Sequence, residues 1–403
     1  MRVLVIHQNF PGQFRHLVSH WAARPGWQVK GLGRDTAPGL SGFKGLMRYH
    51  LGRQGRATQH PYLRRMEAAA LHGQAVTRAM LSLRRQGFQP DVIVAHPGWG
   101  ETLYAKDVFP DARLLHYCEW YYSPHGADLD FDPEFPATLD DRARVRTWNA
   151  LHALNLTQCD VAVSPTEWQR SRHPQALQSK IAVQHEGIPS KQLRPDCSAR
   201  IVLPNGTVLG AGDPVVTYVA RNLEPYRGFH VFMRALEQLQ RVNLRAHAVI
   251  VGADGTSYGS LPKDAPNWRE RLLREVDLDP ARTHFLGRVS YAVYTRVLQV
   301  SAAHVCLTYP FVLSWSLLEA MACGALVVGS DTEPVREVIR DGSNGLLVPF
   351  LEPAVLSRRV DEVLSNPRDF TALRERARKD AAAFDQQLGL EGYDQLIGAL
   401  ATS

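Results

Sequence analysis

The stretch Ser314-Trp-Ser-Leu-Leu-Glu-Ala-Met-Ala-Cys-Gly324 lies between two short apolar runs, residues 304–307 and 325–328. Such runs predict buried strands, and the stretch between them predicts a helix that begins near Trp315 and stops at its final glycine. The start of a helix that follows a strand offers free N–H groups and the positive end of its dipole to a phosphate. Glu319, one turn further in, could accept hydrogen bonds from a ribose diol. An ordinary strand–helix–strand unit would have the same spacing.

The same alternation of apolar runs and amphipathic segments extends over the whole chain. Candidate strands are residues 3–6, the segment around Val29, and residues 92–95, 114–115, 161–163, 215–219, 248–251, 304–307 and 325–328. Each is followed by a turn and a helix-like segment, which predicts α/β domains with doubly wound parallel sheets. Ligands of such sheets bind at the carboxyl ends of the strands.

Prolines and glycines crowd together between about residues 187 and 214, which indicates a linker. The sequence therefore predicts a Rossmann-like domain over 1–190, a linker over 191–213 and a second Rossmann-like domain over 214–380. A C-terminal helix over 381–403 could pack back on the first domain. A length of 403 residues agrees with two domains.

Composition narrows the class of protein. With 45% hydrophobic and 21% charged residues, the chain is too apolar for disorder and too polar for a membrane bundle. The net charge of +6 is uneven, because residues 1–200 hold 25 Lys+Arg against 17 Asp+Glu and residues 201–403 hold 21 against 23. Five cysteines without a C-x-x-C pair argue against a zinc site and a disulfide framework. The first apolar run is too short for a signal peptide, so we expect a cytoplasmic protein.

The 314–324 stretch, together with Asp341-Gly-Ser-Asn-Gly-Leu-Leu-Val348, resembles the C-terminal signature of family 4 (group 1) glycosyltransferases. That signature runs E-x(7)-E-A-M-A-x-G-x-P-V-V and ends in D-G-x-N-G-x-L-V. The resemblance implies the GT-B fold, in which two Rossmann-like domains face a cleft. It also implies retaining transfer of a sugar from a UDP- or GDP-sugar donor to a glycan, lipid-linked or other acceptor hydroxyl, with no metal and no cofactor.

The resemblance also assigns residues to the donor. Ala220-Arg-Asn-Leu-Glu-Pro-Tyr-Arg-Gly228 resembles the family's G-R-L-x-x-x-K-G with one extra residue, so Arg221 and Arg227 would hold the nucleotide diphosphate. Without the resemblance, both would be taken for surface charges. The implied catalytic residues are Arg221, Arg227, Glu319 and a histidine of the first domain. The implied donor contacts are Gly12, Gly252, Arg288, Val289, Val312, Leu313, Ser314, Ser316, Leu317, Leu318 and Glu319.

One position departs from the signature. The first Glu of E-x(7)-E, which touches the donor sugar in the family, is replaced by Phe311. The sugar could be held by backbone N–H groups of residues 312–314 against an apolar wall, another carboxylate could serve, or transfer could be weak. A non-catalytic nucleotide-sugar-binding subunit is therefore the alternative function.

The first half carries weaker signals. His7-Gln-Asn-Phe-Pro-Gly12 has a glycine turn after the first strand but no G-x-G-x-x-G, which argues against a nicotinamide-dependent enzyme. A histidine after such a strand commonly lies beside the donor sugar in the family, and His116 is the first choice, with His96 second. Either could instead be a structural histidine. Glu119 is a candidate acceptor-side acid, and Trp120 could line a sugar-binding wall or belong to the core.

Asp128-Leu-Asp-Phe-Asp132 raises the question of a metal site. An EF-hand would need glycine and an acid where this chain has Pro133 and Leu139, so calcium is not expected. A D-x-D manganese site belongs to the other common glycosyltransferase fold. The sequence therefore predicts no metal site.

Residues 44–85 hold nine basic residues and one acid, Glu67. With Leu46, Met47, Tyr49 and Leu51 among them, this region could form a basic, partly apolar face for an anionic membrane or a phosphate-bearing acceptor. A solvated surface is the alternative. Nucleic acid is not expected, because no recognition module accompanies the charge.

Overall fold

The structure, a computed structural model, describes residues 1–56 and 58–402. It divides the chain into two compact units. The first unit comprises Met1–Gly187 together with the C-terminal segment from Gln386, and the second comprises Ile188–Asp385.

The first unit is built on a seven-stranded sheet in which every pair of neighbours is parallel. Its strands are β1 (Arg2–Ile6), β2 (Gln28–Arg34), β3 (Leu46–Tyr49), β4 (Val92–Ala95), β5 (Arg113–Tyr117), β6 (Val161–Ser164) and β7 (Ile181–Val183), in the spatial order β3-β2-β1-β4-β5-β6-β7. Its helices are α1 (Arg15–Ala22), α2 (Arg64–Arg85), α3 (Ala105–Val108), α4 (Leu139–Gln158), α5 (Glu167–Ser171) and α6 (Gln175–Gln178).

Both faces of this sheet are covered, which explains why its central strands are apolar without alternation. In β1, Leu4 and Ile6 face one hydrophobic core, and Val3 and Val5 face another on the opposite side. All four side chains are inaccessible to solvent.

The second unit repeats this design with a six-stranded parallel sheet. It contains β8 (Arg200–Val202), β9 (Val208–Gly210), β10 (Val215–Asn222), β11 (His247–Ala253), β12 (Thr283–Gly287), β13 (Ala303–Cys306), β14 (Leu326–Ser330) and β15 (Leu346–Val348). The parallel sheet has the order β12-β11-β10-β13-β14-β15, and β8 and β9 form a separate hairpin. Its helices are α7 (Phe229–Val242), α8 (Trp268–Leu273), α9 (Tyr291–Val300), α10 (Trp315–Cys323), α11 (Glu333–Arg336), α12 (Pro353–Ser365) and α13 (Thr371–Ala381).

The C-terminal helix α14 (Gln386–Thr402) belongs to the first unit. Leu390, Tyr393 and Ile397 of α14 join the core on one face of the first sheet. Asp394 accepts a hydrogen bond from the Trp21 indole at 2.8 Å and pairs with His20 at 2.9 Å, which fixes α14 against α1.

The predicted linker over 191–213 is wrong. The units divide between Gly187 and Ile188, and the following stretch holds the β8–β9 hairpin. Ile201 and Leu209 of this hairpin are buried in one core with Val215 and Val297 of the second unit. Of the glycines that suggested a linker, Gly206 and Gly212 have positive φ, and Gly210 ends strand β9.

The described residues of the region 44–85 do not support the predicted basic, partly apolar face. The long helix α2 separates Arg64 and Arg65 from Arg84 and Arg85 by roughly 30 Å, at 1.5 Å per residue. The apolar residues named in the prediction pack inward: Tyr49 is buried in one core with Met47 and Leu51 against it, and Leu46 packs against the core on the other face of the sheet. In the described residues, no helix has both the length and the apolarity that a membrane span requires.

Each parallel sheet reverses its strand order once, between β1 and β4 in the first unit and between β10 and β13 in the second. At such a point the connections leave in opposite directions and open a crevice at the carboxyl ends of the strands, where ligands of open α/β sheets bind. The two crevices define where functional side chains are expected.

Candidate functional site

Two arginines lie at the crevice of the second sheet. Arg221 is an exposed residue near the carboxyl end of β10, and Arg227 ends the short 3-10 turn Pro225–Arg227 that follows. Arg227 donates from Nη1 to Oγ1 of Thr308 at 2.8 Å and to the carbonyl of Val312 at 2.9 Å, across the strand reversal. In the described chain, neither arginine has a carboxylate partner. Two cations without counter-ions at a strand reversal form a candidate anion site.

Helix α10 begins beside this pair. The hydroxyl of its N-cap residue, Ser314, bonds the hydroxyl of Ser316 at 2.8 Å and caps no backbone N–H. The first turn of a helix has N–H groups that no intrahelical acceptor can satisfy, so this end of α10 also suits an anion. Helix α10 starts at Trp315 and ends at a left-handed Gly324, which confirms the predicted bounds.

The apolar residues assigned to the donor lie in the protein interior. Leu317 and Leu318 have no exposed surface, and Val312 and Leu313 are at most 8% exposed. Their side chains pack in the core, so only their backbone groups can contact a ligand.

Glu319 is 5% exposed and is held by two tyrosines of α9. Its carboxylate accepts a hydrogen bond from the Tyr291 hydroxyl at 2.8 Å and another from the Tyr294 hydroxyl. Burial raises the pKa of Glu319, and the two hydroxyl groups act against that rise. The sequence argument missed both tyrosines, although their spacing of three residues, which places them on one helix face, could have indicated them.

The remaining residues assigned to the donor, Gly252, Arg288 and Val289, differ in how far they are buried. Gly252 is buried, and a Cβ there would come within 2.7 Å of Leu223 and 2.9 Å of the Ala220 carbonyl, so it serves close packing rather than an open ligand surface. Arg288 is exposed in the loop after β12, and Val289 packs against the core beside the hairpin. This loop leads directly into α9 and Tyr291.

Phe311, which replaces the signature glutamate, is buried in an aromatic cluster beside Arg227. Its ring centroid lies 4.7 Å from that of Tyr258 and 5.1 Å from that of Tyr226. The Arg227 guanidinium lies 5.3 Å from the centroid of Tyr258 and 5.6 Å from that of Phe311, within cation–π distance. The structure thus places an apolar wall at position 311.

Two histidines lie at the crevice of the first sheet, each just past the end of a strand. The Nδ1 atom of His7, after β1, accepts the backbone N–H of Asn9 at 3.0 Å, and that of His96, after β4, accepts the N–H of Gly98 at 3.0 Å. Each ring therefore carries its proton on Nε2 when neutral. The rings are in contact, with centroids 5.7 Å apart.

These histidines join a polar cluster with Gln13 and Glu119. His7 bonds Oε1 of Gln13 through Nε2 at 2.8 Å, and Nε2 of His96 lies 3.4 Å from Oε2 of Glu119. The Glu119 side chain keeps 33% of its surface exposed. Gly12 has a φ of +53°, and a Cβ there would lie 2.4 Å from the His7 ring, so this glycine leaves room for His7. His7 and Gln13 were missed, although both stand in the same loop as Gly12.

The preference for His116 over His96 is wrong. His116 lies within β5, paired with Ala95 and Ala162 on either side, and its side chain is fully buried. Its ring nitrogens make no hydrogen bond of good geometry to the described residues. Burial lowers the pKa of His116 to about 3, although the Asn155 backbone acts in the opposite direction. His116 is a neutral core residue, and His96 is at the crevice.

Trp120 also belongs to the interior. It is 5% exposed, and its indole N–H donates to both carboxylate oxygens of Asp128 at 2.9 and 3.1 Å. Asp130 binds Arg142 and the backbone N–H of Ala137 instead. The D-x-D-x-D carboxylates thus hold their own loop together, and the described residues contain no group of three or more His, Cys, Asp or Glu side chains that could bind a metal ion.

Comparison with known proteins identifies the family of the chain. Residues 25–193 match the family model for the glycosyl transferase family 4 group, and residues 204–381 match the model for glycosyl transferases group 1. The two models together cover most of the chain, and the chain belongs to the group 1 glycosyltransferases.

Curated relatives match over part of their length. D-inositol 3-phosphate glycosyltransferase 1 of Catenulispora acidiphila is 27% identical over 233 residues, which are 55% of this chain and 51% of that protein. A GDP-mannose-dependent alpha-(1-6)-phosphatidylinositol monomannoside mannosyltransferase of Mycolicibacterium smegmatis is 26% identical over 233 residues, 53% of this chain and 55% of its own. The chain spans about half the length of these relatives.

Solved structures share the fold. HepE of Anabaena in complex with UDP-glucose has a TM-score of 0.70 at 14% identity, covering 99% of this chain and all of HepE. Sucrose-phosphate synthase of Thermosynechococcus elongatus has a TM-score of 0.73 at 17% identity, with both chains fully covered. At these identities the likeness establishes the GT-B fold alone.

Proposed function

We propose that the protein transfers a sugar from a nucleotide-sugar donor, a UDP- or GDP-sugar, to an acceptor hydroxyl with retention of configuration. The observation that carries this proposal is the pair Arg221 and Arg227, which lie at the crevice of the second sheet, beside the start of α10, with no carboxylate partner among the described residues. The two relatives named above act on inositol-containing acceptors, and we propose a hydroxyl-bearing glycan or lipid-linked acceptor here.

The chemistry is stabilisation of a leaving group. When the bond between the sugar and the diphosphate breaks, negative charge grows on the departing diphosphate. Arg221, Arg227 and the N–H groups near Ser316 would meet that charge with donors that are already oriented, usually the largest single contribution to catalysis. The acceptor proton can pass to the leaving phosphate, so the mechanism needs no metal ion and no dedicated base.

We assign the acceptor side to the polar cluster of the first unit. The carboxylate of Glu119, whose side chain is 33% exposed, offers an acceptor for sugar hydroxyls. His7 and His96, whose Nε2 atoms contact Gln13 and Glu119, hold this cluster in place.

The test is a thermal-shift screen with UDP, GDP and ADP and their sugars, followed by an assay of nucleotide release from the best donor. Both are done with EDTA present, because the proposal needs no metal. A ligand at 100 times its dissociation constant adds about 2.7 kcal/mol of stability, enough to raise the melting temperature visibly. If no nucleotide or nucleotide sugar stabilises the protein, the proposal fails.

We expect Glu319→Gln to weaken nucleotide binding while transfer at saturating donor changes little. The carboxylate has lone pairs beyond those that the two tyrosines use, and a ribose diol would donate to them. Isothermal calorimetry with the nucleoside diphosphate should show about tenfold weaker binding, the scale of a charge-assisted hydrogen bond.

Tyr294→Phe serves as the control for Glu319→Gln. It removes one of the two tyrosine hydroxyl groups that donate to the Glu319 carboxylate, and it keeps the negative charge of that carboxylate. Unchanged nucleotide affinity in Glu319→Gln would exclude the diol role.

Phe311 supports one alternative function, a nucleotide-sugar-binding subunit without catalysis. It replaces a carboxylate that touches the donor sugar in the family, and its surroundings are aromatic. The release assay separates the two functions: an enzyme hydrolyses its donor slowly even without acceptor, whereas a binding subunit is stabilised by the donor and releases no nucleoside diphosphate.

A further inference from the structure

The loop after β11 places an exposed aromatic ring beside Arg227, the arginine proposed to hold the diphosphate. Tyr258 is 41% exposed, although its ring packs on Phe311 and Tyr226 with centroid distances of 4.7 and 5.6 Å. The Arg227 guanidinium lies 5.3 Å from the centroid of the same ring. One side of Tyr258 is thus supported by the buried ring of Phe311 and the half-buried ring of Tyr226, and Tyr258 remains partly exposed to a ligand.

A buried carboxylate holds this loop in place. Glu224 is 1% exposed and accepts the backbone N–H groups of Ser257, Tyr258 and Gly259 at 3.0, 3.2 and 2.9 Å. The side chain of Asn222 adds a hydrogen bond to the Ser257 hydroxyl at 2.7 Å. These anchors use backbone groups and a serine, so the position of the loop does not depend on the tyrosine ring.

The surface around Arg227 and Tyr258 is aromatic, which is unusual at a site for a polar ligand. The carboxylate in contact with the loop, Glu224, is already occupied by three N–H donors, and position 311 holds a phenyl ring. A sugar beside Arg227 would therefore meet an aromatic face. Aromatic faces bind carbon-bound hydrogens, which carry the partial positive charge that the negative face of the ring attracts.

We propose that Tyr258, supported by Phe311, is the binding platform for the transferred sugar, which stacks a C–H face of its ring on the tyrosine while Arg227 holds the adjacent phosphate. The donor class is then a nucleotide hexose or deoxyhexose recognised by stacking, not by a carboxylate at position 311. Glu224 is a positioning residue for this platform. The inference rests on the proposed function, because it needs the donor to bind at Arg227.

The test compares the affinity for a nucleoside diphosphate with that for the corresponding nucleotide sugar. The candidate diphosphates are UDP and GDP, and the candidate sugars are UDP-glucose, GDP-mannose and GDP-6-deoxymannose. The base used is the one whose ligands stabilise the wild type most. We expect Tyr258→Ala to weaken binding of the nucleotide sugar about tenfold and to change binding of the diphosphate less than twofold. Tyr258→Phe keeps the ring and should bind both ligands as the wild type does. Tyr104→Ala, which removes a similarly exposed tyrosine from the first unit, is the matched control and should leave both affinities unchanged.

The outcomes are distinct. An equal loss of affinity for both ligands in Tyr258→Ala would place the ring on the nucleotide and overturn the proposal. So would unchanged affinity for both, or a Tyr258→Phe variant as weak as Tyr258→Ala, since the hydroxyl would then be the contact. In each of these cases the wild type still binds nucleotide and the proposed function stands. If the wild type binds neither ligand, both proposals fall together.

Discussion

Replacing Arg227 with alanine should lower the rate of sugar transfer by about 100-fold or more, the scale of losing one preorganised donor to a developing oxyanion. The guanidinium lies at the strand reversal of the second sheet, held by Thr308 and the Val312 carbonyl, and has no acidic partner in the described chain to neutralise it. Its charge is therefore available to the leaving diphosphate. Arg221→Ala should have an effect of the same order.

The two variants differ in what else they disturb. Arg227 bridges two segments, so its loss also removes structural hydrogen bonds. The side chain of Arg221 is exposed and makes no hydrogen bond or ion pair with the described residues. Arg221→Ala therefore separates ligand binding from folding. Arg359→Ala, which removes a surface arginine paired with Glu362 on α12, is the matched control. Wild-type transfer rates in both Arg221→Ala and Arg227→Ala would contradict the assignment.

Acidification should unfold the first unit near pH 5, well before the second unit. Burial lowers the pKa of four histidines of the first unit, each at most 9% exposed, from 6.5 to about 3 for His116 and to about 4 for His72, His173 and His185. In the second unit His304 is fully buried, with a pKa lowered to about 4 for the same reason.

The sign follows from proton uptake. Below pH 6.5 the unfolded chain protonates these histidines and the folded chain does not, so stability falls as the pH drops toward their folded pKa values. Between pH 6.5 and pH 5 each histidine costs about 2 kcal/mol. In the first unit Glu101 acts in the opposite direction, because burial raises its pKa to about 7, and it offsets about one histidine. The net loss of about 6 kcal/mol is comparable with the whole stability of a typical domain.

Hydrogen exchange at pH 7 and pH 5 would locate this effect. We expect peptides of β4–β6 to lose protection at pH 5 while peptides of β10–β14 keep theirs. His116→Leu removes a buried ring that makes no hydrogen bond of good geometry to the described residues, so it should raise the melting temperature at pH 5 more than at pH 7. His125→Gln, at a side chain that is 64% exposed, should leave the melting temperature unchanged at both pH values. An acid midpoint that is the same in His116→Leu and the wild type would contradict the explanation.

The sequence by itself determined the fold class, whereas its assignment of donor residues came from the family resemblance and stays a prediction. Every strand of the two predicted sheets is a strand of the structure, because parallel strands covered on both faces need uninterrupted apolar runs that can be seen locally. The bounds of α10 followed from the N-cap serine and the final glycine. The two arginines followed from a motif that stays close in sequence, since a loop of a few residues joins them.

Only the tertiary structure decided which polar side chains meet. His96 and His116 both stand near the end of a short apolar run, yet pairing with Ala95 and Ala162 keeps His116 inside its strand, and His96 lies one residue beyond its own. The two tyrosines that hold Glu319 lie more than twenty residues before it, and Tyr258 reaches Phe311 across more than fifty. Strand register and packing between distant segments set these contacts. The spacing of the two tyrosines places them on one helix face, but nothing in the local sequence indicates that this face meets Glu319.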